Sequence, residues 1–176
     1  MKKFIILSVS LFSLLLVTQA KAQVFEKGTK LIDAGFEFQE SFEETVIPVF
    51  GAFEIGVTDD IGVGAKMRFW SKHDVNSLVI QATGAYHFGR FIPVEKLDVF
   101  GSLGLGVNRI WVSDYAEYSA SSFMISPQIG ARYFFTEKFG VTAKLGVDSY
   151  RYDDGYYDYG SRYTDVNLAL GVSFKF

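Results

Sequence analysis

The sequence predicts an all-β chain, an eight-stranded antiparallel up-and-down transmembrane β-barrel. Apolar and polar residues alternate with period two through eight separate runs, the signature of extended chain with two different faces. After the first 22 residues no apolar stretch reaches the ~20 residues that a membrane helix needs. The last run shows the alternation most fully. Val166, Leu168, Leu170, Val172, Phe174 and Phe176 fall on one face, and Asn167, Ala169, Gly171, Ser173 and Lys175 on the other.

Composition narrows the class. A chain of 176 residues is expected to form one domain, and 18 Phe, 10 Tyr and 17 Gly against 3 Pro and 3 Met lean towards strands. There is no cysteine, so disulfides, thiolate metal sites and thiol nucleophiles are excluded. The formal charge of -3, without any basic block, argues against nucleic acid as a partner.

Residues 1–22 read as a cleaved signal peptide and 23–176 as the barrel. Lys2 and Lys3 precede the apolar run Phe4–Val17, and Ala20-Lys21-Ala22 supplies the small-x-small cleavage pattern before Gln23. No Cys follows that would carry a lipid anchor. Losing Lys2, Lys3 and Lys21 leaves 14 bases against 20 acids.

The eight runs are Lys30–Gln39, Val46–Val57, Ile61–Trp70, Ser77–Phe88, Asp98–Trp111, Phe123–Phe135, Phe139–Tyr150 and Thr164–Phe176. Their length matches a tilted strand crossing a bilayer, which takes about 9–11 residues. The apolar phase runs unbroken from Ile32, Ala34, Phe36 and Phe38 to the closing strand. A charge in the middle of that face would cost about 2–4 kcal/mol against lipid. Arg109 is the one charge in phase, near a strand end where it can snorkel.

Alternation alone does not say which face is inside, because a secreted lipocalin-like carrier alternates too, with its apolar face inward. Three features favour apolar-out. The polar face carries ten charges over eight strands, few for a water-facing exterior. Gly62, Gly64, Gly104, Gly106, Gly130, Gly140, Gly146 and Gly171 lie on it, as a cramped interior wants. Aromatics gather at both ends of the apolar face, Phe69, Trp111 and Phe123 at one, and Phe88, Tyr133, Phe135, Phe139, Phe174 and Phe176 at the other.

An internal repeat supports the hairpin count. Val57-Thr58-Asp59-Asp60-Ile61-Gly62-Val63-Gly64-Ala65-Lys66 recurs as Phe135-Thr136-Glu137-Lys138-Phe139-Gly140-Val141-Thr142-Ala143-Lys144. Each copy is a tight turn feeding a strand. With Gly89–Leu97 these turns define one end of the barrel, expected to be periplasmic. Longer loops at Glu40–Thr45, Ser71–Asn76, Val112–Ser122 and Arg151–Tyr163 are expected at the other. Pro48 and Pro127 fall inside runs, where each removes a ladder donor and predicts a bulge.

The terminal Leu168-Ala169-Leu170-Gly171-Val172-Ser173-Phe174-Lys175-Phe176 and the run Gly130-Ala131-Arg132-Tyr133-Phe134-Phe135 resemble the small eight-stranded outer-membrane barrels, the OmpX type and the barrel domain of the OmpA type. The resemblance covers everything after the signal. It implies the outer membrane of a Gram-negative bacterium, both termini periplasmic, lipid around the barrel, and insertion by the barrel-assembly machinery reading Phe174 and Phe176. It leaves the role open, since the family holds adhesins, structural barrels and lipid-modifying enzymes.

Inward phase collects Asp33, Glu37, Glu54, Asp98 and Asp148 against Lys66, Arg68, Arg132, Lys144 and Lys175, expected as a paired network that plugs the lumen. His87 is inward and His73 lies in a loop. Ser71 stands near His73, but no adjacent His-Tyr-Ser-Asn run of the lipid A deacylase kind is present, so no catalytic site is expected. Thr83, Ser102 and Ser126 read as lumen fillers.

The stretch Asp148–Tyr163 is the most unusual. It packs Tyr150, Tyr152, Tyr156, Tyr157, Tyr159 and Tyr163 among acids and suits a recognition surface, as Tyr115, Glu117 and Tyr118 do on a smaller scale. Asp153, Asp154 and Asp158 lack the spacing of a calcium loop, and neither cofactor nor metal is expected. The expected function is a monomeric structural or surface-interaction barrel. The alternatives are a narrow porin-like channel and, further off, a lipid A-modifying enzyme or the lipocalin-like carrier.

Overall fold

The computed structural model describes residues 24–41, 44–92, 94–113, 115–151 and 162–176. The signal peptide and Tyr152, Tyr156, Tyr157 and Tyr159 lie outside the described residues. Nine strands follow in order: β1 (Lys30–Ser41), β2 (Glu44–Val46), β3 (Val49–Gly56), β4 (Ile61–Lys72), β5 (Val75–His87), β6 (Leu97–Val112), β7 (Tyr115–Phe134), β8 (Phe139–Arg151) and β9 (Arg162–Lys175). A single 3-10 turn, Gly89–Phe91, sits between β5 and β6.

Every pairing is antiparallel between neighbours, and β1 also pairs with β9 from Leu31↔Lys175 to Gln39↔Asn167, which closes the sheet. The barrel has eight staves because β2 and β3 form one. Gln39↔Val46 and Phe36↔Val49 belong to a single unshifted register on β1. Pro48 makes the break. The Glu37 N–H donates to the Pro48 carbonyl at 2.9 Å, and proline has no N–H with which to return the bond. Neither proline makes the expected bulge: Pro127 stays in register opposite Leu103 on β6. On its other side pairing passes from Ile125↔Ser149 to Gln128↔Gly146 without a shift. The register shift falls instead at Trp111/Val112.

The two repeat copies fold alike. Val57 N–H donates to the Ile61 carbonyl at 2.9 Å and Phe135 N–H to that of Phe139 at 2.9 Å. The Thr58 hydroxyl accepts from the N–H of Ile61 at 2.9 Å, and the Thr136 hydroxyl from that of Phe139 at 3.0 Å. A threonine that ties its own turn explains why this residue recurs.

At the opposite end three of the four expected loops are largely strand, and most of the fourth, Arg151–Tyr163, lies outside the described residues. Strands run on through most of 40–45, 71–76 and 112–122. Ser41 pairs with Glu44, and Lys72 with Val75 around a two-residue turn. His73 and Asp74 there have φ of 47° and 65°, the paired left-handed geometry of a type I′ hairpin turn. Polar residues on both faces hid these extensions, since strands above the bilayer meet water on the outside as well.

The apolar face points outward throughout. Ile129 and Val166 expose 66% and 63% of their surface, whereas Arg132 and Glu37 expose 2% and 0%. A water-soluble chain does not present so continuous an apolar belt. Tyr86 with Phe88, Tyr133 with Phe135 and Phe174 with Phe176 group at the end that holds the termini, with centroids 5.1, 5.5 and 6.5 Å apart. Phe69 and Trp111 group at the other, 6.3 Å apart. Closure is tight where β1 meets β9: a Cβ added to Gly35 would come within 2.2 Å of the Leu170 carbonyl oxygen, so only glycine fits.

A closed sheet of this kind resists detergent. Unboiled protein extracted from membranes is expected to migrate differently from a boiled sample on a denaturing gel, and identical migration would count against the closed barrel.

Candidate functional site: the lumen ion network

Strand phase brings the charged residues into the lumen, and register decides which of them meet. In the half nearer the termini, Arg132 on β7 is the hub. Its Nη2 donates to Asp33 at 2.9 Å and to Glu54 at 2.8 Å, and its Nη1 to Asp98 at 2.9 Å. Three carboxylates from β1, β3 and β6 thus share one guanidinium, whose planar fork suits several acceptors at once. Asp33 also accepts from Lys144 Nζ and from the Ser173 hydroxyl, both at 2.6 Å. The Phe100 ring lies under the guanidinium, 4.1 Å from its carbon. Gly62 makes room for Glu54, since a Cβ there would lie 2.0 Å from its Oε1.

A second group lies further along. Glu37 pairs with Lys66 and, at 2.7 Å, with Arg68. Arg68 reaches Asp148 at 2.6 Å, which also accepts from Ser126 at 2.6 Å. Gln81 in turn donates to Ser126 at 2.6 Å. Lys66 and Lys144 stand 5.5 and 5.2 Å from the Phe50 ring centre, which links the two groups.

His87 closes the first group from below. Nδ1 lies 2.7 Å from Asp98 and Nε2 2.6 Å from Glu54, so neither ring nitrogen faces a serine. Apolar residues cap both ends of this ionic middle. Phe25, Leu31 and Phe134 form the cap beside the termini, and Val79, Met124 and Tyr150 the other. Lys66, Arg132, Lys144, Thr83 and Ser102 line a small, partly open space of about 30 Å³, enough to admit water. Among the described residues no group of acids and histidines is placed to hold a metal.

The whole architecture matches solved structures. The outer membrane protein OprG from Pseudomonas aeruginosa aligns with a TM-score of 0.55 at 12% identity, over 88% of this chain and 98% of that one. Neisserial surface protein A aligns with 0.65 at 14%, over 84% and 96%. Ail, the attachment invasion locus protein of Yersinia pestis, aligns with 0.54 at 15%, over 85% and 99%. The fold is that of the small eight-stranded outer-membrane barrels. No protein-family model matches the sequence, and no curated protein matches it either.

Within this small barrel Asp33, Glu37, Glu54, Lys66, Arg68, Arg132, Lys144 and Asp148 all point into the lumen and take part in ion pairs. Lys175 does not join them. It donates to the Val24 carbonyl at 3.4 Å, at the rim. Tyr150 differs from its expected place on the recognition surface. It points inward, 9% exposed, and its hydroxyl donates to Asp165 at 2.5 Å. Its position one phase step beyond Asp148 already puts it on the inward face. Phe174 and Phe176 face outward at the termini, and Thr83 and Ser102 fill the lumen beside the small space.

Two features escaped the sequence. Phe25 precedes the first run and has no periodic neighbour to mark it. Phe50, Phe100 and Phe134 are aromatics on a face that reads as polar. Their signal was present in the inward phase of strands otherwise rich in glycine and charge.

A hub that holds three buried carboxylates is costly to remove. Arg132→Met is expected to lower unfolding stability in lipid by roughly 3–5 kcal/mol, because it leaves carboxylates without their partner. Arg90→Ala, which breaks a pair whose Arg side chain is 54% exposed, is expected to cost no more than ~1 kcal/mol. Equal denaturation midpoints for Arg132→Met and the wild type would remove the network from the account of stability.

Proposed function

We propose that the chain is a closed barrel of the Gram-negative outer membrane with both termini periplasmic. It acts through the ends of its hairpins, as a structural or surface-interaction protein, and catalyses no reaction. The filled lumen carries this reading. Charged pairs cross it at two levels, and apolar caps lie above and below. A solute path would have to break several buried ion pairs at once.

The long hairpins supply the other half of the argument. β6 and β7 have 16 and 20 residues, well beyond the ~9–11 that a tilted strand needs to cross. At a ~40° tilt β7 reaches roughly 50 Å along the axis, so its first turns stand clear of a ~25 Å apolar band. With the termini periplasmic, that ribbon faces the outside, and the sequence of 152–161, with Tyr152, Tyr156, Tyr157 and Tyr159, suits contact with an extracellular ligand. Lipid covers the outward apolar face, the barrel-assembly machinery reads Phe174 and Phe176, and the barrel works as a monomer.

Planar-bilayer recording separates this from the channel reading. Purified barrel is expected to give no stepwise current, and chymotrypsin added to intact cells is expected to cut between 152 and 163. Reproducible ohmic steps would favour a narrow porin, and protection on intact cells with cleavage after lysis would reverse the orientation.

A further inference from the structure

Ahead of β1, residues 24–29 fold back over the end of the lumen. Gly28 N–H donates to the Gly56 carbonyl at 2.9 Å, Gly56 N–H to that of Thr29 at 2.8 Å, and Lys27 N–H to Asp59 at 3.1 Å. These few bonds hold the strap at its far side. At its near side Phe25, 1% exposed, lies flat on the His87 ring, with centroids 3.4 Å apart and planes 7° from parallel.

Beneath Phe25, His87 and Arg132 bracket the same two carboxylates. Asp98 gives Oδ2 to Arg132 and Oδ1 to His87, and Glu54 gives Oε2 to Arg132 and Oε1 to His87. A neutral imidazole has one N–H and one bare nitrogen, so one of its two contacts would set a lone pair against a carboxylate oxygen. Hydrogen on both ring nitrogens makes each of the two contacts a hydrogen bond to a carboxylate oxygen.

We propose that His87 is a proton-operated latch for the strap 24–29. While both ring nitrogens carry hydrogen, the imidazolium is pinned between Asp98 and Glu54 and offers Phe25 a fixed flat surface, so the strap seals the mouth. Loss of one proton breaks one of the two bridges, loosens the ring, and weakens the flat face that holds Phe25 on the side away from Leu31 and Phe134. The strap is therefore latched at lower pH and released as pH rises. The charged groups around the latch are Glu54 on β3, Asp98 on β6 and Arg132 on β7. Behind them stand Asp33 on β1 and Lys144 on β8. Lys175 on β9 meets the strap at Val24, and Asp60 accepts the His87 backbone N–H through its carbonyl while its side chain pairs with Arg90.

The chain has no cysteine, so a nitroxide on Glu26→Cys, an exposed strap position, reports only the strap. A His73→Asn background leaves His87 as the sole histidine. In lipid vesicles taken from about pH 5 to about pH 10, a range that brackets imidazole titration, the spectrum is expected to pass from immobile to mobile through a one-proton transition. That transition is expected to vanish in His87→Asn. Should His87→Asn fail to give a heat-shifted gel band, the ring nitrogens of the His73→Asn barrel decide, with both expected to carry hydrogen below the transition by 15N shift. A spectrum constant across the range, a transition that survives in His87→Asn, or one bare ring nitrogen throughout would overturn the latch.

Discussion

One guanidinium organises the interior. Arg132 is almost wholly removed from solvent and takes carboxylates from three strands, and each of its partners has further partners of its own. Burying ions costs more than a single pair returns, so such a lumen is stable only when every charge is answered. That requirement shapes what lies nearby. Phe100 sits under the hub, Gly130 leaves space for the Phe100 ring, and Gly62 leaves space for Glu54. The barrel is thus an inverted globular protein, ionic in the middle and apolar on the outside.

How much of this the sequence holds depends on whether the rule is local. Strand phase is local, and it places Ile32 outside and Asp33 inside without any knowledge of neighbours. The threonine turns are local too, which is why Val57–Lys66 and Phe135–Lys144 announce the same hairpin. Partner choice is not local. That Asp33 meets Arg132, and that Lys175 answers Val24, follows from strand tilt and register, which no alternation pattern records. Tyr150 illustrates the same limit. Its neighbours in sequence suggest a tyrosine-rich surface, while its phase seats it beside Val79 and Met124.

The strand ends show a different kind of blindness. Period two marks a strand only where its two faces meet different surroundings. Above the bilayer both faces are wet, so Lys72, Val75 and the first residues of β7 carry no signal although the ladder continues through them. Proline misleads in the other direction. At Pro48 and Pro127 the ladder loses pairing but not register, because the neighbouring staves hold the chain in place.

The partners in the lumen are far apart along the chain. Asp33 on the first stave waits for Arg132 at 99 residues' distance, Lys144 at 111 and Ser173 at 140. A half-built sheet would therefore carry its first carboxylates unanswered, and in that state water is their better solvent. The early staves have a reason to stay open on their inner side until the last ones arrive. Closure of β1 on β9 and neutralisation of the interior then become one cooperative event, late in folding, with few stable stopping points before it.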